Sequence, residues 1–312
     1  MKLRGARVLV TGAAGFIGAN LLRRLIPESA ELHILLRRET DTSRIRSLLG
    51  SVAVHYADLK DRSAVERALA RVRAEIVFHL AANGVRADTQ ETRAMFDANV
   101  IGTVNLLTAC KTTHLKLFIA TGSVAEYGVR NVPLRESDPI APVSDYGVSK
   151  AAATLYCRAQ ALRERLPVAT LRLFTPYGYF EEPPRLIPSV ILACLAGKPF
   201  TASSPKNRRD FIFIEDVVEA YCALVRYHRD AAGEIINIGS GREATVAEVI
   251  RRIGRATGAT PRPRWGRFAG NHVEAGRWQA DIGKARRILR WLPAHTLEQG
   301  ITKTVAWFTT QR

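Results

Sequence analysis

The chain has 312 residues, 47% of them hydrophobic and 24% charged, with a formal net charge of +17. That length can bury a large core, and no apolar run reaches the eighteen or so residues needed to span a bilayer. The opening MKLRGARVLVTG carries too short an apolar stretch for a secretory leader, so a soluble, cytoplasmic protein is expected.

Cys110, Cys157, Cys194 and Cys222 are scattered without a C-x-x-C pair, and the seven histidines show no zinc-type spacing. Buried free thiols and no metal site are therefore expected. Residues 240–312 hold 14 lysines and arginines against 5 acids, +9 of the total. A basic surface suits nucleic acid, an anionic membrane or a polyanionic small substrate. These arginines are spread through helical segments such as 246–255 and 280–290, with no basic run interleaved with aromatics. That distribution reads as a solvated face, which speaks against nucleic acid and membrane partners.

In chain order, β-branched runs alternate with helix-period stretches. Residues 7–11 predict a strand, 17–25 a helix and 31–36 a second strand. Further strands are expected at 53–56, 76–80 and 116–120, and longer helices at 93–112 and 146–164. Alternation of this kind predicts an α/β fold, a Rossmann-type doubly wound parallel sheet with right-handed crossovers. After about residue 175 the texture changes: 181–184, 203–209 and 257–276 are loop-like, with short strands at 211–214 and 235–238 between them. The expected organisation is a dinucleotide-binding domain over 1–175 and a smaller substrate-binding lobe over 176–312, which returns some segments to the main sheet.

The first strand runs into Gly12-Ala13-Ala14-Gly15-Phe16-Ile17-Gly18 and then a helix. Glycines there permit a tight turn and close backbone approach to a pyrophosphate, and the helix N-terminus offers free N–H groups. No Gly-Lys-Ser/Thr follows, so this is not a Walker loop. An acid at the end of the second strand would bind the adenosine ribose of NAD. The sequence has Arg37 and Arg38 instead, which suit the 2′-phosphate of NADP, although Glu39 is within reach of a ribose. NADP is the favoured cofactor and NAD the alternative. Farther on, Tyr146 and Lys150 are four apart on a predicted helix and share a face. A lysine ammonium one turn away stabilises a phenolate and so equips a tyrosine for proton transfer.

The order of these motifs resembles the extended short-chain dehydrogenase/reductase family, in its nucleotide-sugar epimerase/dehydratase group. Val10-Thr11-Gly12-Ala13-Ala14-Gly15 opens the resemblance. Asp58-Leu59, His79-Leu80-Ala81-Ala82, Asn99-Val100-Ile101-Gly102-Thr103, Leu171–Gly178 (LRLFTPYG), Arg209-Asp210-Phe211-Ile212 and Asn237–Gly241 (NIGSG) continue it along the whole chain. The resemblance implies a cofactor site from Gly12, Gly15, Phe16, Ile17, Gly18, Arg37, Arg38, Asp58, Leu59, Leu80, Ala81, Ala82, Asn99, Tyr146, Lys150 and Phe174. It makes Ser123, Tyr146 and Lys150 catalytic, and places Asn83, Ser123, Thr175 and Arg209 at a nucleotide-diphosphate sugar. It also implies a homodimer through the 93–112 and 146–164 helices.

Two expectations about the reaction follow. Sugar 4,6-dehydratases of this group carry an Asp-Glu pair after the catalytic hydroxyl, whereas this chain has Val124 and Ala125, which speaks against dehydration. An NDP-4-keto-sugar reductase and an NDP-sugar 4-epimerase remain, both acting at C4. Many relatives have Asn at the position of Thr175 and Arg near Asn271, so Arg264 or Arg267 is a candidate to supply that charge. Gly197, Pro199 and the 203–209 loop are expected around the base. Alternatives are reduction of a non-sugar carbonyl compound and, in another class, a non-catalytic cofactor-sensing or nucleic-acid-binding protein.

Overall fold

The computed structural model describes residues 1, 3–28, 31–84, 91–130, 133–266 and 277–311. The first half contains β1 (Arg7–Thr11), α1 (Phe16–Leu25), β2 (Glu31–Leu36), β3 (Ala53–Tyr56), α2 (Arg62–Val72) and β4 (Ile76–His79). It continues with α3 (Thr92–Phe96), α4 (Gly102–Cys110), β5 (Leu117–Ser123), α5 (Asp145–Glu164) and β6 (Val168–Leu173). Next come β7 (Thr175–Tyr177), α6 (Leu186–Leu195), β8 (Phe200–Ala202), β9 (Arg208–Arg209), β10 (Phe211–Phe213), α7 (Ile214–Arg226) and α8 (His228–Ala231). The chain closes with β11 (Ile235–Ile238), β12 (Ala244–Thr245), α9 (Val246–Thr257), β13 (Pro263–Trp265), α10 (Gly283–Leu289) and α11 (Leu297–Thr310).

Seven strands form one sheet in the order β11-β6-β5-β4-β1-β2-β3, every neighbouring pair parallel. Its central strands are largely apolar on both faces because helices cover both, while the edge strand β3 is partly exposed. Val8 and Val10 of β1 and Ile76 and Phe78 of β4 enter one core cluster, with Leu117, Ile119, Ala169 and Leu171. The alternate residues Leu9, Val77, Phe118, Ala120 and Val168 enter the cluster on the other face. From β1 the chain runs outward through β2 and β3, then returns to place β4 on the other side of β1. That reversal opens a crevice at the carboxyl ends of β1 and β4, where ligands bind in open α/β sheets. Strand β11, from beyond residue 175, pairs with β6 and completes the sheet.

Three local features differ from expectation. The 93–112 helix is interrupted by a π-helical turn at Asp97–Ile101, where the Asn99 side chain is engaged outside the helix. Strand β5 continues to Ser123, which pairs with Leu173 of β6, so the serine stands at the strand's carboxyl end. The stretch expected to be loop over 257–276 begins with Gly258 closing α9 at φ +67°. It then forms β13, which pairs in parallel with β8. Asn271 and Arg267 lie outside the described residues, and Arg264 is exposed on β13. All four cysteines are buried and free. Among the described residues, no helix is long and apolar enough to cross a membrane.

Candidate active site

The glycine turn sits at the head of the crevice. Gly12 has φ +71°, and a Cβ there would lie 2.5 Å from the Ala81 nitrogen and 2.6 Å from the Leu80 carbonyl carbon. A Cβ on Gly18 would stand 2.2 Å from the Gly12 oxygen. Only glycine lets α1 pack this close to β1 and β4. Gly15 caps α1 without a side-chain hydrogen bond, and the helix's first turn carries no acid. Phe16 and Ile17 are half-buried against the core, so the turn presents backbone N–H groups and a positive helix end to the crevice. This cradle fits a dinucleotide pyrophosphate. Arg44 ties it to a later loop: the Arg44 guanidinium donates to the Phe180 oxygen at 2.9 Å and to the Ala14 oxygen at 3.4 Å.

At the end of β2, Arg37 and Arg38 are both exposed. Arg37 lies 3.3 Å from Glu39, and the Arg38 guanidinium lies 5.4 Å over the Tyr56 ring. Asp58 turns its carboxylate onto its own loop, accepting from the Lys60 nitrogen at 2.9 Å. Leu59 packs half-buried against the second core cluster, and its carbonyl accepts from Asn105 at 2.8 Å.

Beyond β4 the Leu80-Ala81-Ala82-Asn83 segment lines the crevice's other wall, opposite the glycine turn. His79 is buried behind it, 2.7 Å from the Thr11 hydroxyl and 2.9 Å from that of Thr103. Thr103 gives its own proton to the Asn99 oxygen at 2.6 Å, so His79 Nε2 donates to Thr103 and Nδ1 accepts from Thr11. Burial, followed by the Lys150 charge, favours the neutral imidazole and lowers its pKa to about 3. Asn99 fastens the segment: it accepts from the Asn83 nitrogen at 2.8 Å, and its amide nitrogen donates to the Asn83 oxygen and to Ser149, both at 2.9 Å.

Helix α5 enters the crevice at its N-terminus, where the Ser144 hydroxyl accepts from the Gly147 nitrogen. Tyr146 is half-buried, with the Ser123 side chain among the groups that bear on its phenol, and Lys150 is buried one turn on. The fold thus puts Ser123 at the carboxyl end of β5 and Tyr146 and Lys150 one turn apart at the start of α5. Burial raises the Tyr146 pKa above the ordinary phenol value, opposed by the Ser123 hydroxyl and by the Arg185 charge. Burial also lowers the pKa of Lys150, opposed by Glu126. Within the protein alone, burial of the phenol dominates, and the lysine is not among the groups that act on it.

Sequence reasoning missed what lies behind the serine. Ser123 and Glu126 form a capping box around the short 3-10 turn Val124–Tyr127. Glu126 is fully buried and paired with Arg172, itself 2% exposed, at 2.7 Å. Two signals existed: the Ser-x-x-Glu spacing, and an arginine inside the apolar strand Val168–Leu173.

On the substrate side, Thr175 opens β7 half-buried, its nitrogen donating to the Asp210 oxygen at 3.0 Å. Phe174 lies in a small buried cluster with Val124, Tyr127, Leu134 and Ala280. The Arg209 guanidinium lies 4.7 Å over the Trp278 ring, whose indole N–H donates to the Gly128 oxygen at 3.0 Å. Asp210 is spent on the backbone of Ser240, Gly241 and Ala280, at 2.6, 3.0 and 3.0 Å. Glu215 meets Tyr179 and Lys303, at 2.9 and 2.7 Å.

The chain matches the NAD dependent epimerase/dehydratase family over residues 8–239. It is 30% identical to the dTDP-glucose 4,6-dehydratase of Neisseria gonorrhoeae, over 99% of this chain and 97% of that protein. The crystal structure of the Bacillus cereus UDP-glucuronic acid 4-epimerase, in complex with UDP-glucuronic acid and NAD, superposes with a TM-score of 0.89 at 27% identity. That match covers 98% and 99% of the two chains. The Thermotoga maritima UDP-glucose 4-epimerase with UDP-glucose also gives 0.89, at 25% identity, covering 97% and 99%. With a parallel sheet, a glycine cradle at its switch point and a match spanning most of the sequence, the chain belongs to the NAD dependent epimerase/dehydratase family.

Proposed function

We propose that this protein oxidises or reduces C4 of a nucleotide-linked sugar, with Ser123, Tyr146 and Lys150 as its catalytic residues. The observation that carries this reading is the placement of Ser123 at the carboxyl end of β5, with Tyr146, whose phenol Ser123 bears on, and Lys150 one turn apart at the start of α5. When bound, the dinucleotide supplies the hydride acceptor or donor and, when oxidised, a positive ring that favours a phenolate. Tyr146 takes a proton from the C4 hydroxyl or returns one to the C4 oxygen. Ser123 holds that oxygen by a hydrogen bond, and the Lys150 ammonium stabilises the phenolate and orients the nicotinamide ribose. Arg209, braced on Trp278, meets the diphosphate, while Thr175 and Asn83 border the sugar. Residues 1–175 form the cofactor half and 176–312 the substrate half.

Dehydration is disfavoured despite the similarity to a 4,6-dehydratase. Val124 is buried and Ala125 carries no acid, while the neighbouring Glu126 is locked to Arg172. Two reactions share the remaining machinery. Similarity to the two 4-epimerases supports epimerisation with the cofactor retained. The exposed Arg37-Arg38 pair supports NADP(H), and with it a 4-ketoreductase that exchanges cofactor each turnover. Incubation with UDP-, dTDP-, GDP- and CDP-sugars tests both. A ketoreductase consumes NADPH absorbance at 340 nm with a 4-keto sugar nucleotide, and an epimerase inverts C4 by NMR with no net absorbance change. Neither signal with any nucleotide sugar would overturn the proposal.

The protein acts as a homodimer through α5. Val148, Leu155 and Leu162 are 39%, 50% and 67% exposed. Their spacing of seven puts them in one apolar stripe along the helix, with Ile101 also exposed on the neighbouring π-turn.

A further inference from the structure

Behind the three catalytic side chains lies a charged couple that no step above uses. Glu126 is fully excluded from solvent. One carboxylate oxygen accepts from the Ser123 nitrogen at 2.7 Å and from the Thr154 hydroxyl at 3.0 Å. The other accepts from Arg172 Nε at 2.9 Å, with a second guanidinium nitrogen at 2.7 Å. The space is reserved for it: a Cβ on Gly122 would stand 2.7 Å from that first oxygen. Thr154 is one turn beyond Lys150 on α5, so a single oxygen joins the strand end carrying Ser123 to the helix carrying Tyr146 and Lys150.

A buried ion pair adds little stability over an apolar pair of similar size, because both charges must be desolvated. A capping box at a short 3-10 turn needs a carboxylate or amide, but no arginine behind it. Stability and capping therefore leave the couple unexplained, whereas its position does not. We propose that Glu126, held by Arg172, is a positioning residue of the active site: it fixes the backbone of Ser123 and places a negative charge beside the start of α5 that bears on proton loss from Tyr146. The proposal rests on the reading of Tyr146 as the acid/base group.

The charges around the couple can be named. Arg172 comes from β6, and its guanidinium also lies 4.3 Å over the Tyr127 ring. Tyr127 hydrogen-bonds Asn237 at 2.8 Å and senses Glu136. From α5, Tyr146, Lys150 and Cys157 face Glu126. Tyr146 also faces Arg185 and Tyr221, and Lys150 faces His79. Among these, Glu126 favours the protonated form of both Tyr146 and Lys150.

The test is the acidic limb of the pH profile of kcat/KM for alcohol oxidation, where Tyr146 must lose its proton. Glu126→Gln keeps the acceptor for Ser123 and Thr154 but leaves Arg172 charged. Its limb is expected to move to lower pH by at least about 0.5 unit, since a nearby charge commonly shifts a pKa by 1–3 units. The double variant E126Q/R172M removes both charges, avoids a lone buried cation and moves the limb in the same direction by less. Glu126→Asp keeps the charge and the wild-type limb while kcat falls through displaced Ser123. If Glu126→Gln does not fold, the double variant decides. Limbs that stay at the wild-type position in the charge-removing variants, whatever happens to kcat, overturn the proposal, because a merely structural role predicts that result. Tyr146→Phe separates the two readings. If it retains turnover, the acid/base assignment and this proposal fall together; if it is inactive and the limbs are unmoved, this proposal falls alone.

Discussion

Replacing Gly12 by alanine puts a methyl group where the backbone of the opposite wall already lies. The new Cβ would stand 2.5, 2.6 and 2.8 Å from the Ala81 nitrogen, the Leu80 carbonyl carbon and the Ala81 Cα, at a residue with φ +71°. The left-handed backbone costs roughly 1–2 kcal/mol and the forced displacement about 1–3 kcal/mol. Together these lower the melting temperature by about 3–7 °C, at about 1.5 °C per kcal/mol for a chain of this length. Because the displaced atoms line the dinucleotide cradle, binding is lost as well. Thermal unfolding with and without cofactor reads both effects. A ligand at about 100 times its Kd stabilises the native state by about 2.7 kcal/mol, so the wild type rises by about 4 °C. In Gly12→Ala that increment disappears. Gly5→Ala is the control: φ is +82° there, but nothing lies within 4 Å of the added carbon, so stability falls slightly and the cofactor increment stays whole. A Gly12→Ala protein with wild-type melting and a full increment would refute the steric argument, as would a Gly5→Ala protein that loses the increment.

Acid should destabilise the fold through His79, whose pKa is lowered from 6.5 to about 3. That stability is complete above the unfolded value of 6.5 and is lost as pH falls toward 3. By pH 5 the loss is about 2 kcal/mol, read as a lower urea midpoint than at pH 7.5 and flattened in His79→Gln; equal midpoints at the two pH values contradict it. Removing both Arg37 and Arg38 should weaken NADP binding by roughly tenfold per lost charge-assisted contact while leaving NAD nearly unchanged. Calorimetry that finds NAD bound more tightly than NADP by the wild type dismisses that assignment. Leu155→Glu with Leu162→Glu should convert a dimer to a monomer in light scattering after size exclusion. A wild type that is monomeric throughout removes the interface.

Much of the fold was readable because its cause is local. β1 and β2 are largely apolar runs bounded by turns, and their ends fall where the runs end. The Gly12–Gly18 spacing and the Tyr146–Lys150 spacing each imply one geometry wherever they occur in this order. Other features depend on partners far along the chain. The π-turn at Asp97–Ile101 accompanies the engagement of Asn99 with Asn83 and Ser149, which no helical period reveals. Strand β13 has a proline and two exposed residues in three positions, so it lacks the alternation that marks a strand and exists through pairing with β8. Glu126 and Arg172 are 46 residues apart. Each left a trace in the sequence, as a capping spacing and as a charge in an apolar strand, but only the folded sheet joins them.

The central claim is that C4 of a nucleotide sugar exchanges its hydrogen with the bound nicotinamide under the control of Tyr146. A rapid-quench single turnover of a nucleotide sugar deuterated at C4 with oxidised cofactor, stopped in alkali before the hydride can return and analysed by mass spectrometry, tests it directly. The expected result is a reduced cofactor one mass unit heavier in the wild type, and loss of that labelled cofactor by roughly 10²–10⁴-fold in Tyr146→Phe. Unlabelled reduced cofactor, or equal labelling in the two proteins, contradicts the account.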